Sequence, residues 1–134
     1  MPPPCPVLMA LIVIERARDQ ASRINRPCLV VHGPGGECLD ANASALDALG
    51  LTRNEFLTRK IVDPRWDTYS TNGRPLAPIL CPGGVALRSG VEARGQIGLT
   101  HLLSGSRRWL DLVASPVDDR GRRVVYVQFD VITR

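Results

Sequence analysis

The first periodic run of apolar residues lies near the start of the chain. Its apolar positions alternate in steps of three and four residues, at Val7, Ala10, Ile14, Ala17, Ala21 and Ile24. This spacing predicts an amphipathic helix over residues 7–24. The preceding "MPPPCP" is not expected to be helix or central strand, because proline lacks an amide hydrogen and fixes its backbone φ. Residues 1–25 are therefore expected to form a proline-rich leader and an N-terminal helix.

The next stretch predicts a hairpin and two short helices. "CLVVH" and "ECLDA" are separated by the turn sequence "GPGG", which indicates two antiparallel strands. Asn42 follows, and its side-chain oxygen suits the N-cap of a helix that stops at Gly50. Thr52 and Glu55 have the spacing of a capping box, which predicts a second helical turn.

Residues 57–90 show little periodicity and contain many glycine and proline residues. Within them, "PGGVALRSG" predicts one more helix, which ends at Gly90. Three strands follow in "EARGQIGLT", "SRRWLDLVAS" and "RRVVYVQFDVI", with turns at "SGS" and "DDRG". This order predicts an α+β fold with a five-stranded antiparallel sheet, helices on one face of the sheet, and the N-terminal helix in addition.

Alternation along "SRRWLDLVAS" divides the strand between two faces of the sheet. The apolar face carries Leu110, Leu112 and Ala114. The other face is mixed and carries Trp109, Asp111 and Val113. The apolar set is expected to point into the core. The mixed set is expected on the outer face, where the helix over residues 7–24 or a partner subunit would cover it.

Length and charge narrow the class of protein. The chain has 134 residues, of which 44% are hydrophobic and 22% charged, as in a single soluble domain. The net charge of +4 comes from scattered arginines and a single lysine, Lys60, with no basic stripe or recognition motif. Nucleic acid is therefore not an expected partner.

Cysteine usage and hydropathy exclude other classes. Cys5, Cys28, Cys38 and Cys81 are widely spaced and form no CxxC pair, so no metal site is expected. The apolar run "VLMALIVI" is much shorter than the roughly 20 residues needed to span a bilayer, and no positive charge precedes it as in a signal peptide. A cytoplasmic location without membrane contact is expected.

Four segments, in order, resemble the PAS domains of bacterial sensory proteins. They are "VVHGPGGECLDANASALDALGLTRNEF", "DPRWDTYSTNGRPL", "CPGGVALRSG" and "GSRRWLDLVASPVDDRGRRVVYVQFDVIT". The resemblance covers residues 26–133 and implies that residues 26–134 form a PAS-like sensor domain without catalytic activity. It also implies a small ligand in an apolar cavity, with signalling through a homodimer or a partner protein. The dimer would form through the helix over residues 7–24 and the outer sheet face.

Matching to the flavin-binding branch of the family suggests polar groups for the cavity. Gln128 in "YVQFD" occupies the position of a flavin-contacting glutamine, and Thr100 and His32 are expected to point inward by the same matching. The expected ligand-binding residues are Val30, His32, Thr100, Leu110, Leu112 and Gln128. The photoactive Asn-Cys-Arg-Phe motif of that branch is replaced by "TRKIVD", which excludes blue-light adduct chemistry.

Other interpretations remain open at this level. Cys5-Pro6 and Cys81-Pro82 resemble the Cys-Pro dipeptides of haem-responsive proteins, although "GGVALRS" lacks the histidine usual in haem-binding PAS domains. Small α+β folds also host isomerases, which use an acid or base in an apolar cavity. The spacing of the candidate carboxylates does not indicate an acid–base pair; they are Asp40, Asp47, Asp63, Asp67 and Asp111. His101, beside a turn, is expected to be exposed.

The remaining alternative needs no ligand. Trp66, Ile79 and Leu80 are expected either to fill the cavity or to gate it. If they fill it, the domain would act by protein–protein contact through its outer sheet face.

Overall fold

A six-stranded antiparallel sheet is the main element of the protein, for which a computed structural model describes residues 28–63 and 65–133. The strands are β1 (Cys28–His32), β2 (Cys38–Ala41), β3 (Thr68–Tyr69), β4 (Ala93–Thr100), β5 (Arg107–Asp119) and β6 (Arg122–Ile132). Their order across the sheet is β2-β1-β6-β5-β4-β3. The first and last strands of the described chain are therefore neighbours within the sheet.

The described residues contain three short α-helices: α1 (Ala43–Leu49), α2 (Arg53–Leu57) and α3 (Pro82–Ser89). Side-chain caps begin α1 and α2, whereas α3 begins at a proline. Asn42 accepts a hydrogen bond from the backbone N–H of Ala45 at 2.9 Å, and Gly50 ends α1 in the left-handed region with φ 78°. Thr52 and Glu55 form the expected capping box at α2. A 3₁₀ turn (Pro78–Leu80) leads into α3, which ends at Gly90.

Alternation along the strands gives the sheet two distinct faces. On β5, Leu110 and Leu112 are buried with the helices on what we call the inner face, whereas exposed Asp111 lies on the outer face. The core lies between the inner face and the three helices. The assignment of alternate β5 residues to opposite faces is confirmed.

The predicted α+β fold class is confirmed, but the strand count of five is wrong. The sixth strand, Thr68–Tyr69, has two residues, which is too short for a periodic signal. The helix expected over residues 7–24, with the rest of residues 1–25, lies outside the described residues. None of the helices described within residues 28–63 and 65–133 is long and apolar enough to cross a membrane.

Strand β5 continues four residues beyond its expected end at Ser115. Pro116 lies opposite Val125 on β6, whereas the pairing of β5 with β4 ends at Ala114. A proline is tolerated there because one side of the strand no longer has a hydrogen-bonded neighbour. The ribbon closes at Arg120 and Gly121, both with positive φ, as a two-residue hairpin turn requires.

Candidate functional site

A cavity of about 90 Å³ lies between the inner face of the sheet and the helices. Its wall draws residues from all three α-helices or their flanking turns and from five of the six strands. The lining residues are Val30, His32, Leu49, Phe56, Ile61, Trp66, Thr68, Pro78, Cys81, Gly83, Gly84, Ile97, Leu99, Leu110, Leu112, Val127 and Phe129. Most of these side chains are apolar, so the cavity offers few hydrogen-bonding partners to water or to a polar molecule.

Four of the six sequence-predicted residues line this cavity: Val30, His32, Leu110 and Leu112. The expectation that Thr100 and Gln128 point inward is wrong. Gln128 is exposed and lies between Val127 and Phe129, both of which line the cavity. Since neighbouring residues of a strand point to opposite faces, Gln128 lies on the outer face.

Thr100 also belongs to the outer face, where it joins a small polar cluster. Its hydroxyl donates to the Asp67 carboxylate at 2.8 Å, and the Tyr69 hydroxyl donates to the same oxygen at 2.6 Å. These hydrogen bonds, from Tyr69 first and from Thr100 second, lower the pKa of Asp67. The guanidinium of Arg107 lies 4.1 Å from the centre of the Tyr69 ring. This cluster joins β3, β4 and β5 at the edge of the sheet.

His32 is a buried imidazole on the cavity wall, at the end of β1. Its Nδ1 lies 3.7 Å from the Cys38 sulfur across the hairpin, and its ring lies 6.4 Å from that of Phe56. Burial lowers the pKa of His32 to about 4, against the weaker opposing effect of a hydrogen bond with the Glu37 backbone. The same burial raises the pKa of Cys38 to about 12. Both groups are therefore neutral at pH 7.

The other hydrogen-bonding side chains of the wall are held by backbone carbonyls. The Thr68 hydroxyl donates to Leu76 at 2.6 Å, and the Trp66 indole N–H donates to Lys60 at 2.8 Å. The Cys81 thiol lies 3.8 Å from the carbonyl of Ala77. Of the residues expected to fill or gate the cavity, Trp66 lines it, whereas Ile79 and Leu80 do not.

Two glycines of α3 allow close packing, Gly84 against the preceding 3₁₀ turn and Gly83 against the cavity wall. A Cβ on Gly84 would lie 2.3 Å from the carbonyl oxygen of Ile79, too close for any side chain. A Cβ on Gly83 would instead point toward the cavity, 3.0 Å from Cδ1 of Ile61 and 3.3 Å from Cγ2 of Val127. The volume of the cavity therefore depends on Gly83 having no side chain.

His101 is buried, at 7% exposure, and the expectation that it is exposed is wrong. Its Nδ1 lies 3.0 Å from the backbone N–H of Ser104, and its Nε2 lies 2.9 Å from the carbonyl oxygen of Asp47. Since a backbone N–H only donates, Nδ1 accepts and Nε2 carries the hydrogen. His101 thus fastens the β4–β5 turn to α1, away from the cavity.

The fold is similar to that of several solved structures. A PAS domain from a two-component sensor histidine kinase has a TM-score of 0.62 and 11% identity, covering 92% of this chain and 99% of that chain. The PAS domain of the fruit-fly ELK potassium channel has a TM-score of 0.64 and 13% identity, covering 92% and 98%. The light-state dimer of the fungal blue-light photoreceptor Vivid has a TM-score of 0.61 and 16% identity, covering 97% of each chain.

The chain has a PAS fold. No family model matches it, and no curated protein matches it. The PAS resemblance in the sequence is thus confirmed through structure, at identities of 11–19%. In this PAS fold, the cavity lies between the helices and the inner face of the sheet.

A haem or a flavin does not fit this PAS cavity. The volume of about 90 Å³ lies well below the roughly 300 Å³ at which pockets for organic ligands begin. Burial raises the pKa of Cys81, which disfavours the thiolate that ligates haem iron. Cys5, the other cysteine of the haem interpretation, lies outside the described residues.

In the described part of the chain, no aspartate or glutamate lines the cavity, and no group of metal ligands is assembled. Among residues 28–63 and 65–133, no group of three or more His, Cys, Asp or Glu side chains is placed to hold a metal ion. Asp40 pairs with Arg53, and Asp63 pairs with Arg65 at 2.6 Å. Neither carboxylate lines the cavity.

Sequence reasoning missed most of the cavity wall. Phe56, Ile61 and Val127 come from separate elements, and only the tertiary fold brings them together. For β6 a usable signal existed, because apolar and polar residues alternate in "VQFD". That alternation places Val127 and Phe129 inward and Gln128 outward.

Proposed function

We propose that the protein is a PAS-type sensory module that binds a small ligand in the apolar cavity and has no catalytic activity of its own. The single observation that carries this proposal is the cavity, because its wall joins the sheet to all of the described α-helices or their flanking turns. Val30, His32, Leu110 and Leu112 contact the ligand from the sheet. Occupancy then favours one arrangement of the sheet over another.

The outer face of the sheet transmits the change. Leu29, Val31 and Val124 point away from the three helices, yet they are at most 7% exposed. In this proposal, the amphipathic helix expected over residues 7–24 covers these side chains. Its apolar stripe also holds two copies of the chain together as a homodimer, or holds a signalling partner.

The similar structures support a signalling role in general terms. One belongs to a two-component sensor histidine kinase, and another is the light-state dimer of a photoreceptor. A dimer that responds to a signal is therefore compatible with the shared fold.

The first test combines an absorption spectrum of freshly purified protein with native mass spectrometry of the same sample. Extra mass on the folded species, without a Soret or flavin band, is the expected result for a small colourless ligand. Protein of dimer mass with nothing bound would favour the ligand-free alternative, or a sensor of a weak ligand that is lost in purification. A Soret or flavin band would contradict the ligand size that the cavity allows.

A second test fills the cavity from β5. We expect Leu112→Trp to abolish xenon binding, followed by methyl NMR, and to shift the monomer–dimer equilibrium in sedimentation. The matched control for xenon binding is Val113→Trp, which places the same side chain on the outer face of the same strand. Circular dichroism checks that both variants fold. If Leu112→Trp leaves xenon binding and dimerisation unchanged, the proposed mechanism is wrong.

The second candidate function is a protein–protein interaction module that uses no ligand. The small volume of the cavity, about 90 Å³, favours this alternative. It predicts that Leu112→Trp, by filling a void, leaves dimerisation intact and stabilises the fold. A sensory module instead loses its response when the cavity is filled.

A further inference from the structure

We infer that the ligand of the cavity is a neutral, apolar molecule of only a few heavy atoms. This inference rests on the proposed function, because it names the chemical class of the ligand that the proposed sensory module binds. It follows from three features of the wall: the partners of its polar groups, its charge and its size.

The polar groups of the wall have protein partners already. Thr68 donates to Leu76, and the indole N–H of Trp66 donates to Lys60, at 2.6 and 2.8 Å. The Cys81 thiol is directed at the carbonyl of Ala77. A ligand that needed one of these donors would have to break its present hydrogen bond. A buried hydroxyl or amide without a partner is strongly disfavoured, so the wall discriminates against polar ligands.

The wall also carries no charge at pH 7. Among the lining residues, His32 has the side chain that can take up a positive charge by protonation. Burial lowers its pKa to about 4, so it is neutral at pH 7. Its Nδ1 is engaged with the Cys38 sulfur, and Cys38 itself is a neutral thiol. An ionised ligand would therefore lose its hydration without gaining a counter-charge on the wall.

Size gives the upper limit. An engineered cavity of about 150 Å³ lined by Leu, Ile and Phe binds benzene or xenon. The cavity here is smaller, at about 90 Å³, and Leu, Ile and Phe side chains also form much of its wall. It therefore encloses a molecule smaller than benzene unless the wall moves outward.

One group near the wall favours a different class. Nε and Nη1 of Arg59 are buried without a hydrogen-bond partner, and its guanidinium lies 5.1 Å from the centre of the Trp66 ring. A carboxylate ligand would satisfy them. Arg59 does not line the cavity, however, and its charge acts on nearby Asp63, whose pKa it helps to lower after the larger effect of Arg65. The apolar ligand is therefore favoured, and the test includes a carboxylate probe to check the alternative.

The test compares four probes of similar size: xenon, propane, ethanol and acetate. Each is titrated into protein with ¹³C-labelled methyl groups, and the shifts of Ile97, Leu112 and Val127 are followed by NMR. We expect xenon and propane to shift these methyl groups and to bind at least about tenfold more tightly than ethanol or acetate. Binding of ethanol or acetate as tight as that of propane would overturn the inference while leaving a ligand-binding cavity in place.

Two variants locate the binding. Gly83→Ala places a methyl group between Ile61 and Val127 and should weaken propane binding at least about tenfold. Gly95→Ala is the matched control, since its Cβ meets only Pro82 at an ordinary 3.4 Å and Gly95 does not line the cavity. Acetate binding that is lost in Arg59→Met would assign the site to acids instead. If no probe moves the three methyl groups, the proposed function fails together with the inference.

Discussion

The inner and outer faces of the sheet are built from the same strands but differ in the surroundings and partners of their polar groups. On the outer face, Thr100 and Tyr69 bond to the Asp67 carboxylate near solvent. On the inner face, Thr68 bonds to a backbone carbonyl, and His32 is held neutral by burial. The inner face therefore recognises a ligand by shape and apolar contact, whereas the outer face carries its polar contacts at the β3–β4 edge and buries apolar side chains on β1 and β6.

The largest expected effect comes from removing core volume on β5. Leu110 is 1% exposed, so Leu110→Ala should lower the free energy of unfolding by about 2–5 kcal/mol. Its neighbour Asp111 is exposed on the outer face, and Asp111→Ala should change stability by no more than about 0.5 kcal/mol. Urea unfolding measures both. Similar losses from the two variants would contradict the division of the sheet into two faces.

The next effect is a dependence of stability on pH through His32. The pKa of His32 is lowered to about 4 in the folded protein from an ordinary 6.5, so the unfolded chain takes up its proton first on acidification. Stability is fully present above pH 6.5 and falls between pH 6.5 and pH 4, by about 3 kcal/mol in all. Urea unfolding of the native protein and of His32→Gln at pH 7 and pH 5 should show a smaller loss in the variant. An equal loss in both would assign the effect to other groups.

A smaller effect separates a buried helix cap from an exposed one. The fully buried Asn42 accepts from Leu29 at 3.1 Å as well as from Ala45, so it joins β1 to α1. We expect Asn42→Ala to lower the free energy of unfolding by about 2 kcal/mol, since it also leaves the N–H of Leu29 without its acceptor. Thr52→Ala, at the exposed cap of α2, should lower it by about 1 kcal/mol or less. Thermal unfolding followed by circular dichroism can rank the two, and the reverse ranking would be evidence against a structural role for Asn42.

The smallest effect is expected at Gln128. Because this side chain is exposed on the outer face, Gln128→Ala should change stability by no more than about 0.5 kcal/mol and leave xenon binding unaltered. Methyl NMR under xenon measures the binding. Loss of xenon binding in this variant would indicate that Gln128 lines the cavity after all.

Local signals in the sequence were enough to predict most elements of the fold. Asn42, Gly50 and the capping box of Thr52 and Glu55 all act where their chemistry indicates. Strand β3 was missed because two residues carry no period, and its place in the sheet depends on pairing with Gly98 and Leu99 of β4. The burial of His101 was missed for a related reason, since its contact with Asp47 joins residues far apart in the chain.

The candidate site was predicted only in part. Val30, Leu110 and Leu112 follow from strand alternation, which is a local property. Matching to the flavin-binding branch of PAS domains predicts Thr100 and Gln128 inward, whereas the alternation of their own strands places them outward. Trp66, Gly83 and Phe56 meet in the cavity only after the chain has folded, so no local pattern contains that information.

The most direct test of the apolar cavity is a crystal structure determined under xenon pressure. We expect a xenon atom on the inner face, in contact with Ile97, Leu112 and Val127, and loss of that atom in crystals of Gly83→Ala. Native crystals without xenon among these side chains would contradict the claim that the inner face holds a site for a small apolar ligand.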